Sequence, residues 1–315
     1  MMKRRDFLTA GFATAGLALS GRTTAADAAP KPRPAAPASG TLTVAACQIL
    51  TFSDLARSTA KILDWMRRAA RQGVDVVAFP EAALCGYDCR PEYWRNARPE
   101  AFARQEQVIR DAARQLNLAV ILGSAHWEGD RVFNSLLVID RDGSLRGRYA
   151  KTYLAENWPT PGRRLPVYRV AGAPSCFIIC HDERYPELVR LPVLAGAQIC
   201  YLCSNESGLL QEDKLSAYRA MPIARATENG IFLVMANAPA NPDAMRSPSQ
   251  SHGNSKIVHP SGRVLAEAGH FEERLVTAQI ALADATRWVA RKAAASGALL
   301  GPWLEAGLAL VDQQA

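Results

Sequence analysis

Short apolar runs of strand length alternate with stretches whose apolar positions recur at helical spacing. Thr41 to Leu50 (TLTVAACQIL) predicts a buried strand. Ser53 to Arg71 carries Leu55, Ile62, Leu63 and Met66 among many arginines, which predicts an amphipathic helix. Val74 to Phe79 is a second apolar run, ending at Pro80-Glu81, and residues 81–100 read as a loop. A helix over 102–116 and a strand over 118–123 follow. The runs RVFNSLLVID and SLRGRYAKTYL flank Arg141-Asp142-Gly143, a hairpin signal that puts Lys151 near the end of its second strand. After a proline-rich loop, Ser175 to Cys180 (SCFIIC) is an apolar run that turns abruptly polar through His181, Asp182, Glu183 and Arg184. Pro186 suits the first turn of the next helix. A strand over 198–203, a helix over 213–227 and a strand over 231–236 come next. A hairpin joins 255–259 to 263–267 around Pro260-Ser261-Gly262, followed by a strand over 274–280, a helix over 284–295 and an apolar tail over 297–315. No fixed-period repeat interrupts this order. It predicts an α/β chain with mixed sheets covered by helices on their outer faces.

The first residues follow a different pattern. Lys3, Arg4 and Arg5 precede an apolar run from Phe7 to Leu19, and Ala26-Asp27-Ala28 fits a cleavage site. Arg4-Arg5 before Asp6-Phe7-Leu8 resembles a twin-arginine signal. The expectation is a signal peptide over 1–28 that uses the twin-arginine export machinery, with a periplasmic or secreted product. A retained N-terminal anchor is the alternative. Residues 29–40 (APKPRPAAPASG) read as a disordered linker. Cleavage takes away Lys3, Arg4, Arg5 and Arg22 with Asp6 and Asp27, lowering the formal net charge from +7 to +5. No Lys/Arg block or aromatic-basic interleaving supports nucleic-acid binding.

Seven cysteines in an exported monomer leave at least one thiol unpaired. Cys85 and Cys89 are a candidate disulfide. Cys200 and Cys203 have metal-like spacing, but on a strand i and i+3 point to opposite faces, so they read as core.

Glu81, Lys151 and Cys180 each end or directly follow an apolar run, and that edge of an α/β sheet is where sites form. Their chemistry is covalent: a thiol attacks, a carboxylate moves protons, and a fixed cation holds developing charge. A cysteine between a strand end and a helix N-terminus is expected to have a lowered pKa and an exposed thiolate. The plain alternative is a buried strand cysteine.

The segments VVAFPEAALCGY, GRYAKTYL and FIICHDERYPE resemble the three signature segments of the nitrilase (carbon–nitrogen hydrolase) superfamily. LPVLAGAQICYLCSNES, RATENGIFLVMANA and HGNSKIVHPSGRVLAE extend the resemblance over about residues 42–282. It implies a four-layer αββα sandwich with two mixed β-sheets over 41–296. It implies a catalytic Glu81-Lys151-Cys180 triad that cleaves a nonpeptide C–N bond without metal or cofactor. The substrate is then a small amide, N-carbamoyl compound or nitrile. It also implies a homodimer or higher homo-oligomer, to which the tail over 297–315 contributes by crossing to a partner. Packing of the tail on its own subunit is the equal alternative.

His181 stands where the family often has Tyr. A side-chain dyad with Cys180 is disfavoured by direction, and the His181 backbone N–H is the expected oxyanion donor beside Lys151. Glu156 is a candidate second pocket carboxylate. Ser204-Asn205-Glu206 replaces the usual Pro-Ser, which makes Asn205 a candidate substrate contact. Glu183 takes a position where carbamoyl-D-amino-acid hydrolases tend to place arginine. Pro192 interrupts a helix the family keeps regular. Asp182, Arg184, Glu187, Arg225, Glu228 and Asn229 read as structural, with an Asp–Arg pair stiffening the turn. From other classes, a catalytically silent binder on this fold and a thiol redox protein using Cys85/Cys89 or Cys200/Cys203 are the alternatives. The intact triad speaks against the first, and the missing Trp-Cys-x-x-Cys turn against the second.

Overall fold

The computed structural model describes residues 40–88, 90–207, 212–241, 251–295 and 299–313. The signal and most of the linker expected over 1–40, and Cys89 of the candidate disulfide, lie outside them. Cys85 carries a free, buried thiol.

Two sheets face each other. The first has six strands in the order β12-β1-β2-β3-β4-β5. These are β1 (Thr41–Gln48), β2 (Val76–Ala78), β3 (Ala119–Glu128), β4 (Arg131–Ile139), β5 (Leu145–Ala150) and β12 (Arg274–Ala281). β1, β2 and β3 run parallel, and the outer pairs are antiparallel. The second sheet has the order β11-β10-β9-β8-β7-β6-β13. Its strands are β6 (Leu165–Val170), β7 (Ala173–Ile179), β8 (Ile199–Ser204), β9 (Phe232–Asn237), β10 (Lys256–Val258), β11 (Val264–Glu267) and β13 (Val311–Gln313). Its parallel centre is β7-β8-β9.

The continuous apolar runs follow from burial on both faces of these central strands. Val44, Ala46, Val76, Ala78, Ala119 and Ile121 share one core with the second sheet. Their alternates Ala45, Cys47, Val77, Val120 and Leu122 pack with Ile62 and Met66 of α1 (Leu55–Arg71) and Ile109 of α3 (Pro99–Leu116). Asp54 caps α1, its side chain accepting from the Arg57 N–H at 2.8 Å. On the outer face of the second sheet lie α4 (Glu187–Leu194) and α5 (Glu212–Thr227). Two mixed sheets between two helical layers make the expected αββα sandwich.

Three differences have physical causes. α2 (Pro91–Asn96) forms inside the stretch read as loop, because Pro91 at its first position is pre-set for a helix. β6 forms where prolines suggested a loop; Pro166 lies at the start of the strand, clear of β7, which pairs only with Tyr168 to Val170. The helix expected over 284–295 starts later, as α6 (Trp288–Ala295), after a short 3-10 turn over Leu282–Asp284. In the tail, α7 (Gly301–Leu308) packs on α4, and β13 adds to β6 in parallel. Pro192 sits within α4, as read, while Pro186 is its N-cap.

Candidate active site

Glu81, Lys151 and Cys180 converge from three strand ends, two in the first sheet and one in the second. β2 passes through Phe79-Pro80 into a tight turn in which Ala82 has a φ of 53°. This turn presses on β3 at Gly123, where an added Cβ would lie 2.0 Å from the Pro80 carbonyl oxygen. Only glycine permits that approach. The Glu81 carboxylate is fully buried. One oxygen accepts from Asn134 Nδ2 (2.7 Å) and Lys151 Nζ (2.8 Å), and the other from the Asn205 backbone N–H (3.0 Å).

Lys151 directly follows β5, its N–H bonded to the Asn134 carbonyl at 2.8 Å. Its buried ammonium also donates to Glu156 Oε1 at 2.6 Å, and the Tyr87 hydroxyl donates to the same oxygen. Two carboxylates thus share one ammonium, and their proton affinities are pushed apart. Burial drives Glu81 up to about 7 against the opposing pull of Lys151. For Glu156, burial is outweighed by Lys151 and Tyr87, and the carboxyl lies below its ordinary value. Burial alone would lower Lys151, but Glu81, Cys180 and Glu156 together hold it well above the ordinary lysine range.

Cys180 ends β7 and opens a 3-10 turn over Cys180–Arg184 with a φ of 47°, a strained value for a residue with a Cβ. Asp182 fastens this turn. Its carboxylate accepts from the Tyr149 hydroxyl (2.8 Å) and from the backbone N–H groups of Ile179 (3.0 Å), Tyr153 (2.7 Å) and Thr152 (3.2 Å). One side chain therefore ties the cysteine turn to the two residues after Lys151. The Asp–Arg pair read from sequence does not form; Arg184 donates to the Tyr218 hydroxyl at 3.2 Å instead. Arg225 donates to the Glu183 carbonyl (2.9 Å) and pairs with Glu228 (2.9 Å). Asn229 bonds back to the Arg225 carbonyl at 2.9 Å.

The expected lowered thiol pKa is reversed. Burial and then the Glu81 carboxylate push Cys180 well above the ordinary thiol value, and Lys151 only partly offsets them. The expected activation is missing because α4 does not begin until Glu187, so no long helix N-terminus faces the sulfur to offset its burial. The half-buried His181 ring packs edge-on against Tyr185, 5.7 Å between centroids, and burial lowers its pKa. Cys200 and Cys203 are buried free thiols in β8.

Asn134 and Tyr87 were not singled out from the sequence. A lone Asn inside the apolar run RVFNSLLVID was the available signal for the first, since a buried polar side chain requires a partner. Tyr87 gave none, because nothing local places its hydroxyl against Glu156.

Residues 43–290 match the family model described as carbon-nitrogen hydrolase. The chain belongs to the carbon–nitrogen hydrolase family. This hydrolase is 31% identical to an (R)-stereoselective amidase from Pseudomonas sp. over 209 residues, covering 64% of this chain and 72% of that protein. It is 29% identical to a 2-oxoglutaramate amidase from Bacillus subtilis (strain 168) over 217 residues, covering 67% and 79%. An amidase structure from Nesterenkonia sp. superposes with a TM-score of 0.69 at 25% identity, covering 80% of the hydrolase and 95% of that chain.

Proposed function

We propose that this hydrolase cleaves the C–N bond of a small amide or N-carbamoyl substrate through a thioester on Cys180, with Glu81 as the proton carrier and Lys151 as the oxyanion cation. The observation that carries the reading is the buried Lys151 ammonium held by Glu81 and Glu156 at 2.8 and 2.6 Å beside the strained cysteine. An ammonium has three donors. Two are committed to carboxylates, and the third is left for an oxygen that gains charge.

The thiol is protonated at rest, so attack and proton transfer are coupled. Glu81 takes the Sγ proton as Sγ bonds to the carbonyl carbon. Lys151 and the His181 backbone N–H hold the resulting oxyanion. Glu81 returns the proton to the leaving nitrogen as the C–N bond breaks, giving the amine or ammonia and an acyl-Cys180. Water then loses a proton to Glu81 and adds to the thioester, and the sulfur leaves and recovers that proton. Glu156 and Tyr87 position Lys151, Asn134 and the Asn205 N–H position Glu81, and Asp182 positions the turn. Ammonia release from a panel of amides, N-carbamoyl compounds and nitriles tests the reaction class. Hydrolysis of nitriles alone would replace the amide reading.

A base near 7 has a visible signature. Below pH 7, kcat/KM for a neutral amide falls about tenfold per unit as Glu81 takes up its proton. No matching loss from Lys151 occurs between pH 7 and 9, because that group is held above its ordinary range. A flat profile from pH 5.5 to 8 would remove Glu81 as the base.

We also place the enzyme in the periplasm, working as a homo-oligomer. Changing Arg4 and Arg5 to lysine traps it in the cytoplasm, as fractionation and immunoblotting read. Unchanged delivery removes the twin-arginine route.

A further inference from the structure

A second pair of buried carboxylates lies beside the nucleophile and has no part in the proton transfers above. Glu183 is three residues beyond Cys180, within the same 3-10 turn, and is fully buried. Glu206 follows Asn205, whose N–H holds Glu81, and is also buried. The Glu206 N–H is fixed on Asn237 Oδ1 at 3.0 Å, and its Oε2 lies 3.3 Å from His252 Nε2. Among the described residues, Glu206 Oε1 and both Glu183 carboxylate oxygens have no hydrogen-bond partner, and neither does His252 Nδ1.

The arginines nearby are committed elsewhere. Arg225 is spent on the Glu183 backbone carbonyl and on Glu228, and Arg184 on the Tyr218 hydroxyl and ring. Burial, and Glu206 beside it, raise Glu183 well above the ordinary carboxylate range. Their mutual geometry falls short of a well-formed hydrogen bond. Glu206 acts electrostatically on both the Cys180 thiol and the His181 ring. Arg184 and Arg225 act on Glu183 only through space and His252 faces only Glu206 Oε2, so among the described residues three carboxylate oxygens of the pair lack a donor. Burying them so is costly, and the N–H donors of a ligand ammonium relieve that cost.

We propose that Glu206, backed by Glu183, is the specificity-determining subsite for a primary ammonium group carried on the acyl chain of the substrate. The acyl part remains bonded to Cys180 through both half-reactions, so an ammonium on it stays beside this pair throughout. Substrates are then amides of amino-substituted acids. This deepens the amide-hydrolase reading and rests on Cys180 being the acylated residue.

The test compares 4-aminobutanamide with its neutral isostere pentanamide. In the wild-type enzyme, kcat/KM is at least tenfold higher for 4-aminobutanamide, and the difference lies in KM. Glu206→Gln brings the ratio to about one, and Glu206→Asp, which keeps the charge, retains part of the preference. Binding of both amides to Cys180→Ala by calorimetry needs neither turnover nor a change at Glu206, and there 4-aminobutanamide binds at least tenfold tighter. Equal or weaker binding of the ammonium amide overturns the subsite. Hydrolysis of pentanamide without ammonium preference overturns the subsite and keeps the hydrolase reading. Ammonium-selective binding with no turnover of either amide does the reverse.

Discussion

Replacing Cys180 with alanine abolishes hydrolysis and leaves the fold in place. The lost group is a single sulfur at the edge of the core, and the turn is held by Asp182 rather than by the thiol. Alanine tolerates a φ of 47° no worse than cysteine does, so no new strain is added. Without the nucleophile no acyl-enzyme forms, and loss on the order of a millionfold is the scale for such a residue. Cys180→Ser is nearly inactive as well, because an alcohol is far harder to deprotonate than a thiol and Glu81 near 7 is too weak a base for it. Glu81→Gln stalls both half-reactions, since one carboxylate takes and returns every proton. Adding Glu81→Gln to Cys180→Ala costs little more than Cys180→Ala alone, because the residues act as a unit. Mass spectrometry of a rapidly quenched wild-type reaction finds the acyl mass on the Cys180 peptide. An adduct on Cys85 or Cys203, or full activity in Cys180→Ala, would falsify the assignment.

Strand ends were legible because their signal is local. β1, β2, β7, β8 and β9 are continuous apolar runs, and Glu81 and Cys180 stand where β2 and β7 stop. The hairpin before Lys151 followed from Asp142-Gly143. What stayed hidden depends on pairs far apart in sequence. The staple from Asp182 to Thr152 and Tyr153 spans about thirty residues, and that from Tyr87 to Glu156 spans 69. The thiol pKa was misread for the same reason: position on a strand end suggests activation, whereas burial depends on the opposite sheet. Glu183 and Glu206 were noticed as departures from the family pattern, but only the fold brings them together.

Lys151→Met has the other large effect, and it separates charge stabilisation from nucleophilicity. Removing an oxyanion donor costs roughly a hundredfold to a thousandfold in rate. A second loss adds to it, because Lys151 opposes the burial that raises Glu81. Without the ammonium, the Glu81 proton affinity rises further, and at neutral pH the base is mostly protonated. The acid limb of the kcat/KM profile therefore moves above 7. Stability changes with the same sign. Glu81 and Glu156 are left buried without their cation, so both take up protons more readily in the folded state than in the unfolded chain. A carboxyl whose folded pKa is raised stabilises the fold below its unfolded pKa, and this is lost as pH rises through the folded value. Relative to wild type, Lys151→Met is thus less destabilised near pH 5 than near pH 8. Thermal melts at the two pH values, together with kcat/KM across the range, check both parts. Activity within tenfold of wild type, or a Tm deficit that does not grow with pH, would show that Lys151 is neither the oxyanion cation nor the charge that keeps Glu81 usable as a base.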